Sequence, residues 1–386
     1  MERAIVHMDL DTFFVSCERL NNSKLSGVPV IIGGGERGVV ASCSYEARYY
    51  GVRSAMPIKM ALKLCPEAKV IKGDMEMYSK LSRTVTEIIE EKAPVVEKAS
   101  IDEHYLDITG MDKFFGAYQW TEELSTAITK HTGLPISFAL SVNKTVAKIG
   151  TGEAKPKGKK EIQQMGVRSF LNPLSIKKIP MLGDATFQLL SRIGIRQIYT
   201  LAEMPVEVLQ QMIGKNGREI WKKANGIDHS PVEPYSERKS ISTEHTFGMD
   251  TIDIPKLRGL ITGMVEKLAY QLRAEQWLTS TVVLKIRYSN FDTETKQCRV
   301  SYTSADHTLS QTVMELFDKL YNRRMRIRLI GVRFTNLVRG SLQINIFEDT
   351  QEMVSLYQAM DKIKNRFGAD KVGRASGFRF ENKKNR

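Results

Sequence analysis

Short apolar runs and amphipathic stretches alternate through the first part of the chain. The stretch MYSKLSRTVTEIIEEK, for example, has apolar residues at the 3.6-residue spacing of a helix. The apolar runs have the length and β-branched content of strands. The pattern therefore predicts a mixed α/β region with strands at 3–10, 28–32, 38–43, 94–101 and 134–142.

The pattern changes twice further along the chain. From about 167 to 230, short helical segments are interrupted by glycine, which predicts a small all-helical unit. The segment 232–242 is polar and aperiodic, as expected of a linker. Beyond it, the order strand, helix, two strands, helix, strand predicts a second α/β unit.

Two strands of that second unit alternate apolar and basic residues. In RRMRIRLIGV the alternation assigns Met325, Ile327 and Leu329 to an apolar face, and TVVLKIRYSN has the same pattern. The opposite face is either an ordinary solvated surface or one that binds a phosphate backbone, and the density of arginine favours the second interpretation. The residues of this basic face are Lys285, Arg287, Arg324, Arg326, Arg328 and Arg333.

Composition narrows the class of protein. The net charge of the 386-residue chain is +13 and its pI is near 9.4, which favours a polyanionic partner, either nucleic acid or an acidic membrane. The four cysteines are widely spaced, which argues against a zinc site or a disulfide framework. The chain has no run of about 18 apolar residues and begins with a predicted strand instead of a leader, so a cytoplasmic protein is expected.

Two adjacent carboxylates, Asp102 and Glu103, interrupt the apolar pattern in ASIDEHYLD. Neighbouring residues of a flat strand point to opposite faces, so the pair serves one site only from a strand end or a tight turn. A solvated hairpin turn is the simpler alternative for an isolated pair.

Another carboxylate pair, Asp9 and Asp11, ends the first predicted strand in MDLD. If that strand lies beside the segment of Asp102 and Glu103, three or four carboxylates converge at one sheet edge. Such a cluster needs cations, and its oxygen donors suit Mg²⁺. Two Mg²⁺ ions would support phosphoryl transfer.

Residues suited to binding phosphate are also present. Tyr45 and Arg48 lie in SYEAR, and Lys144, Lys148 and Lys155 lie in SVNKTVAKIGTGEAKPKG. Each alone is more often an ordinary surface residue. No Gly-x-x-x-x-Gly-Lys-Ser/Thr loop occurs, so the sequence does not predict a P-loop.

Five motifs, MDLDTFF, SYEAR, ASIDEHYLD, SVNKTVAK and AKPKG, in this order and at these separations, resemble those of the Y-family translesion DNA polymerases. The resemblance covers nearly the whole chain. It implies a multidomain α+β fold of the right-hand type, with a mixed-sheet palm, small fingers, a helix-hairpin-helix thumb and a little finger with a four-stranded sheet and two helices. The implied boundaries are 1–18 and 76–166 for the palm, 19–75 for the fingers, 167–231 for the thumb, 232–242 for a linker, 243–350 for the little finger and 351–386 for a carboxy-terminal helix and basic tail.

The resemblance assigns roles to the carboxylates. Asp9 and Asp102 resemble ligands that bridge two Mg²⁺ ions, for which Mn²⁺ substitutes. Glu103 resembles a ligand of the ion that activates the primer 3′-hydroxyl, and the backbone of Leu10 is a further expected ligand.

The resemblance also assigns nucleotide contacts. Tyr45, Arg48 and Lys155 resemble the triphosphate contacts, to which Phe13 and Phe14 and the backbone N–H groups of residues 10–14 are added. Phe14 resembles the steric gate that excludes a 2′-hydroxyl, and a core aromatic is the alternative for it.

Glycines of the helical unit are expected to lie at DNA phosphates. They are Gly183, Gly214 and Gly217. The chain departs from the family pattern at Met181, at Gly150 and Gly152, and at His104 after the Asp-Glu pair.

The implied activity is template-directed, low-fidelity DNA synthesis across damaged templates. The expected partners are primer-template DNA and deoxynucleoside triphosphates, and the expected state is a monomer. Every segment is assigned to a part of the polymerase, so no proofreading domain is expected. Val39 and Ala41 are candidates for the lid over the nascent base pair. A catalytically silent DNA-binding accessory protein and a nucleotidyl cyclase are the alternatives; the three carboxylates argue against the first, and the helical unit and basic sheet against the second.

The carboxy-terminal segment contains QINIF, with Gln343, Ile346 and Phe347. It resembles a sliding-clamp-binding peptide, and its alternation equally suits an ordinary final strand. Residues 352–367 then predict an amphipathic helix of unassigned partner.

Overall fold

The computed structural model describes residues 3–35, 37–111, 116–340, 351–368 and 371–375. The chain divides between Ser236 and Glu237 into two compact units. None of the described helices combines the length and the apolar character needed to span a bilayer.

The amino-terminal unit is built on two sheets. Its strands are β1 (Ile5–Leu10), β2 (Val30–Ile32), β3 (Ser42–Cys43), β4 (Lys69–Ile71), β5 (Val95–Lys98), β6 (Glu103–Asp107), β7 (Ile136–Ser141) and β8 (Lys159–Ile162). Within the described residues, five of them form a mixed sheet in the order β5-β6-β1-β7-β8, and three form a small sheet in the order β3-β2-β4. β1 is central and antiparallel to both of its neighbours, so its carboxyl end lies inside the larger sheet.

The residues of β1 alternate between the two faces of the larger sheet. Val6, Met8 and Leu10 of β1 belong to the core that includes helices 75–90 and 117–132, whereas Ile5, His7 and Asp9 alternate with them and point to the opposite face. The helices are α1 (Phe13–Asn21), α2 (Tyr45–Tyr49), α3 (Ile58–Leu64), α4 (Met75–Glu90), α5 (Ala117–Thr132), α6 (Lys144–Ala154), α7 (Val167–Leu171), α8 (Asp184–Arg192), α9 (Ile198–Ala202), α10 (Val206–Ile213) and α11 (Lys215–Ala224).

The strand expected at 94–101 is shorter in the structure. It ends at Lys98, a bend follows, and the chain returns as β6, so Asp102 and Glu103 lie at the start of a strand and not at the end of one. The pattern also missed β4 and β8, because both carry exposed lysines in place of an apolar run.

The carboxy-terminal unit contains β9 (Ser240–Thr251), α12 (Ile254–Ala274), β10 (Trp277–Tyr288), β11 (Thr293–Thr303), α13 (Asp306–Leu320), β12 (Ile327–Arg339) and α14 (Gln351–Phe367). In the described part of this unit, four antiparallel strands form a sheet in the order β11-β10-β12-β9. One face packs on α12 and α13 through a core that includes Val282, Leu284 and Ile286. The expected four-stranded sheet with two helices is confirmed.

A β-bulge alters the predicted alternation of β12. Its register against β9 shifts between Ile327 and Leu329. Ile327 and Ile330 therefore both belong to the helix-facing core, while Leu329 pairs with Arg287 on the other face. The assignment of Leu329 to the apolar face was wrong, because a bulge inserts one residue into a period-two pattern.

Helix α14 packs on its own unit. The Tyr357 hydroxyl lies 2.7 Å from Nδ1 of His307, and Asp361 accepts from both Nε and Nη2 of Arg273 at 2.7 and 3.0 Å. The hydroxyl of Tyr270 donates to Asn365. The partner that the sequence left unassigned is therefore the helical layer of this unit.

Candidate active site

The turn between β5 and β6 is fixed by its own hydrogen bonds. The amides of Ala99 and Ser100 donate to the carbonyl oxygen of Glu103 at 3.0 and 3.2 Å. The hydroxyl of Ser100 donates to Asp102 Oδ1 at 2.5 Å and accepts from the Glu103 amide at 3.1 Å. Asp102 thus lies in the bend and Glu103 begins the strand, which lets two adjacent carboxylates face one edge.

Sheet register brings a third carboxylate beside this pair. Asp9, one residue from the end of β1, is paired with Glu103 of β6. The amide of Leu10 donates to the carbonyl oxygen of Asp102 at 3.0 Å, which ties the end of β1 to the turn. Asp9, Asp102 and Glu103, predicted from separate motifs, therefore meet at one place.

Two lysines of the SVNKTVAKIGTGEAKPKG segment neutralise this cluster. Lys155 forms an ion pair with Asp9, and Nζ of Lys148 lies 2.5 Å from Glu103 Oε2. Lys144 does not join them, since its Nζ binds Glu97 at 2.6 Å. Among the described residues, no three His, Cys, Asp or Glu side chains form a ready metal-binding group. Asp9 and Glu103 each pair with a lysine ammonium group in this arrangement.

The pKa values of the carboxylates reflect these surroundings. Burial raises the pKa of Asp9 to about 7, against the opposing effect of the Lys155 ammonium. His7, with Nε2 4.0 Å away, and the Lys148 ammonium lower the pKa of Glu103 to about 2. Burial lowers the pKa of His7 itself. Asp9 is therefore only partly ionised at neutral pH even beside the Lys155 ammonium, whereas Glu103 is ionised.

Asp11 lies 3.9 Å from Nζ of Lys155 and binds groups from distant parts of the chain. Its buried carboxylate accepts from the hydroxyl of Ser137 at 2.9 Å and from the amide of Lys157 at 2.6 Å. The hydroxyl of Tyr45 lies 3.4 Å from the same group. Asp11 thus joins α2 and the loop after α6 to the sheet, a role that the sequence did not signal because its partners are distant in the chain.

Tyr45 and Arg48 lie together on α2. Ser44 begins this helix by accepting the Ala47 amide, and the Arg48 guanidinium lies 5.0 Å from the centre of the Tyr45 ring. The contact between Tyr45 and Asp11 orients this pair relative to the carboxylate cluster.

Phe13 and Phe14 differ in their surroundings. Phe13 is buried in the core beneath the sheet, whereas Phe14 is half-buried. The Phe14 ring stacks on Tyr78 with centroids 4.5 Å apart, and the Tyr78 hydroxyl donates to Glu18 at 2.6 Å. One face of the Phe14 ring therefore packs against a tyrosine whose own position is fixed by a hydrogen bond. The amides of both phenylalanines lie in the first turn of α1, where no carbonyl of the helix is available to them.

His104 faces away from the carboxylates. It follows Glu103 in β6, so its side chain points to the opposite face, where Nε2 lies 2.9 Å from the Thr86 hydroxyl. Burial lowers its pKa to about 4. His104 therefore lies on the other face of β6 from Glu103.

The glycines of the helical unit have unequal environments. Gly183 and Gly214 are exposed, and Gly214 has φ +67° between α10 and α11. Gly217 is buried: its amide donates to Gly214, and a Cβ there would approach Leu209 O to 2.4 Å. Its environment is that of a packing position. Met181 is 90% exposed.

Comparison with known proteins identifies the family. Residues 8–152 match the impB/mucB/samB family, and residues 238–346 match its C-terminal domain. A DNA polymerase IV of Dehalococcoides mccartyi is 34% identical over 98% of both chains, and one of Halorhodospira halophila is 36% identical over 89% of this chain and 98% of that protein.

Solved structures show the same fold. A Y-family DNA polymerase chimera of Dbh and Dpo4 has a TM-score of 0.76 at 24% identity, and an insertion ternary complex of Dbh DNA polymerase has a TM-score of 0.65 at 24% identity. Each likeness covers 87% of this chain and 100% of the other. From its sequence relatives, its family domains and its fold, this chain belongs to the Y family of DNA polymerases, among relatives named DNA polymerase IV.

Proposed function

We propose that this chain is a template-directed DNA polymerase of the translesion type, which adds deoxynucleotides to a primer 3′-hydroxyl without proofreading. The observation that supports this proposal most is the strand register, which pairs Asp9 of β1 with Glu103 of β6, next to Asp102. The relatives of this chain are named as DNA polymerases. The direct test is primer extension by the wild-type chain with Mg²⁺, on undamaged DNA and on a template with one abasic site. Extension past the lesion is expected, and failure on both templates would contradict the proposal.

The carboxylate cluster suits divalent ions. Members of this family depend on divalent metal ions, and hard carboxylate oxygens match Mg²⁺, with Mn²⁺ as a substitute. Two lysine ammonium groups already occupy cationic positions at Asp9 and Glu103. We assign Asp9 and Asp102 as shared ligands of two ions, with Glu103 and the Leu10 backbone as further ligands. Ions bound there would activate the primer hydroxyl and stabilise the leaving group.

The chain's own cations bind the incoming nucleotide. Lys155, which pairs with Asp9 here, would bind a phosphate of the nucleotide if divalent ions took its place at Asp9. Arg48 offers a planar pair of donors and Tyr45 a hydroxyl; Tyr45 is oriented by its contact with Asp11, and Arg48 lies against the Tyr45 ring. The first amides of α1 add neutral donors at a helix N-terminus. Phe14, held by Tyr78, forms the floor under the sugar and excludes a 2′-hydroxyl. Val39 and Ala41, both exposed on the small sheet's connections, remain candidates for the lid.

The outer face of the carboxy-terminal sheet is the proposed DNA-binding surface. Arg324, Arg326 and Arg333 are exposed on or beside β12. Arg328 lies 4.5 Å from the centre of the Phe291 ring, and Arg287 donates to Thr293 at 2.8 Å, so both are held in place. These residues would contact phosphates and would carry no information on sequence.

One acid lies within that basic surface. Nζ of Lys285 lies 2.8 Å from Oε1 of Glu244, across β12 at Gly331. A Cβ at Gly331 would approach Cγ of Glu244 to 2.7 Å, so the glycine leaves room for this ion pair.

Glu244→Gln is therefore expected to tighten DNA binding. Freeing Lys285 adds one phosphate contact, which should raise affinity several-fold at low salt and steepen the dependence of log K on log salt by about 0.9. Fluorescence anisotropy with primer-template DNA at several salt concentrations measures both. Glu315→Gln on α13 is the matched control and should change neither; equal effects of the two variants would remove Lys285 from the DNA-binding surface.

A sliding clamp is a further proposed partner. Gln343, Ile346 and Phe347 lie outside the described residues, so the proposal rests on the sequence of QINIF. Replacing the three with alanine is expected to abolish clamp stimulation of primer extension while leaving clamp-free extension intact. Stimulation that persists would favour the interpretation of QINIF as a strand alone.

The alternatives are less well supported. An accessory protein without catalytic function has no need for three converging carboxylates, and the relatives are named as polymerases. The likeness to family members over 98% of the chain likewise does not favour a cyclase.

A further inference from the structure

A second pocket lies on the far side of the sheet from the carboxylates. It has a volume of about 500 Å³ and opens between α4 and the β5–β6 turn. Ile101, directly before Asp102, forms part of its wall, and Lys98 at the end of β5 forms another part. The pocket adjoins the face to which His104 points, so β6 separates it from Asp9 and Glu103.

A polar network borders this pocket. The Thr86 hydroxyl receives a hydrogen bond from Nζ of Lys98 at 2.9 Å and lies 2.9 Å from Nε2 of His104. Next to it on α4, Ser82 is 1% exposed, and its hydroxyl has no hydrogen-bond partner among the described residues. A buried hydroxyl left unpaired in a pocket wall costs free energy unless a ligand or water pairs with it.

The charges of the pocket are divided between its residues. Lys98 and Arg83 supply two cations, and Glu87 and Glu90, about one and two turns beyond Arg83 on α4, supply two acids. None of the three α4 residues forms a salt bridge within the described residues. The lining therefore offers two cations to an anionic group and two carboxylates to hydrogen-bond donors of a small molecule.

We propose that this pocket binds a small phosphate ester of mononucleotide size. The phosphate lies against Lys98, Arg83 and the Ser82 hydroxyl, the sugar hydroxyls or an amino group donate to Glu87 or Glu90, and the apolar part contacts Ile101. The volume lies within the usual range for small-molecule sites, about 300 to 1,000 Å³. The acids would repel a continuous DNA backbone, which favours a free phosphate ester over a strand phosphate.

The test is calorimetric titration of the full-length protein in EDTA, which removes divalent metal ions from the carboxylate cluster. AMP is the probe, and adenosine and inorganic phosphate are the partial probes. Wild type should bind AMP, with adenosine at least about 10-fold weaker because it lacks the charged group. Lys98→Met and Ser82→Ala should each weaken AMP binding by about 10-fold. Arg48→Met, at the proposed triphosphate site, should leave it unchanged.

The Ser82 variant separates binding from folding. Since its hydroxyl has no partner, Ser82→Ala should leave the melting temperature of the ligand-free protein unchanged or higher. Equal AMP binding by wild type, Lys98→Met and Ser82→Ala would overturn the proposal, as would loss in Arg48→Met alone. Loss of DNA affinity in Lys98→Met without any AMP binding by wild type would also overturn it, because the pocket would then hold a strand phosphate.

Discussion

Asp102→Asn is expected to lose primer extension by roughly 10³-fold or more while binding primer-template DNA normally. The amide keeps the size of the side chain and its contact with Ser100, but removes the charge that we assign to holding both ions. Several kcal/mol of transition-state stabilisation depend on such ions, and each 1.36 kcal/mol is tenfold in rate. Single-turnover extension with Mg²⁺ measures the rate, and anisotropy measures DNA binding.

Asp107→Asn is the matched control for that experiment. Asp107 lies at the other end of β6 and accepts from Thr109, outside the cluster. Its variant should extend primers at a rate near wild type. If Asp102→Asn kept its rate, or if both variants lost activity equally, the cluster would not be the catalytic centre.

Phe14→Ala should incorporate ribonucleotides much more readily. Removing the ring opens space below the sugar, so the clash with a 2′-hydroxyl, worth roughly 1–3 kcal/mol, is lost. Relative kcat/KM for ribonucleotide over deoxyribonucleotide should therefore rise roughly 10- to 100-fold. The rate with deoxynucleotides should change less, because Phe14 is not a metal or phosphate ligand in this account.

Two controls make the Phe14 result specific. Phe14→Tyr keeps a bulky ring and should keep discrimination. The alanine variant also loses the stacking on Tyr78, so its melting temperature must be compared with that of wild type. A folded Phe14→Ala protein with unchanged discrimination would identify Phe14 as a core aromatic.

The sequence predicted the elements of the site better than their contacts. Alternation around Asp9 and the adjacency of Asp102 and Glu103 required a strand end and a bend, and the structure has both. The sheet with two helices in the carboxy-terminal unit followed from a period-two pattern that covers whole strands. These features could be predicted because each depends on which residues of a single segment are buried, and the sequence pattern shows this directly.

Other features depended on pairings that no local pattern contains. The ion pairs of Lys148 and Lys155 and the contact from Asp11 to Tyr45 join segments far apart in sequence. The bulge beside Leu329 changes the face of a residue without changing its chemistry. The sequence placed His104 next to Glu103. Only the structure showed that its side chain points to the face of β6 opposite the carboxylates.

We expect Asp9, Asp102 and Glu103 together to hold the catalytic ions. The measurement that tests it most directly is anomalous diffraction from crystals of the protein with primer-template DNA, Mn²⁺ and a non-hydrolysable deoxynucleotide. We expect two manganese peaks bound by the carboxylates of Asp9 and Asp102, with Glu103 on one of them and Lys155 moved from Asp9 to phosphate. Manganese peaks at other residues, with Lys155 still paired to Asp9 in the complex, would contradict the account.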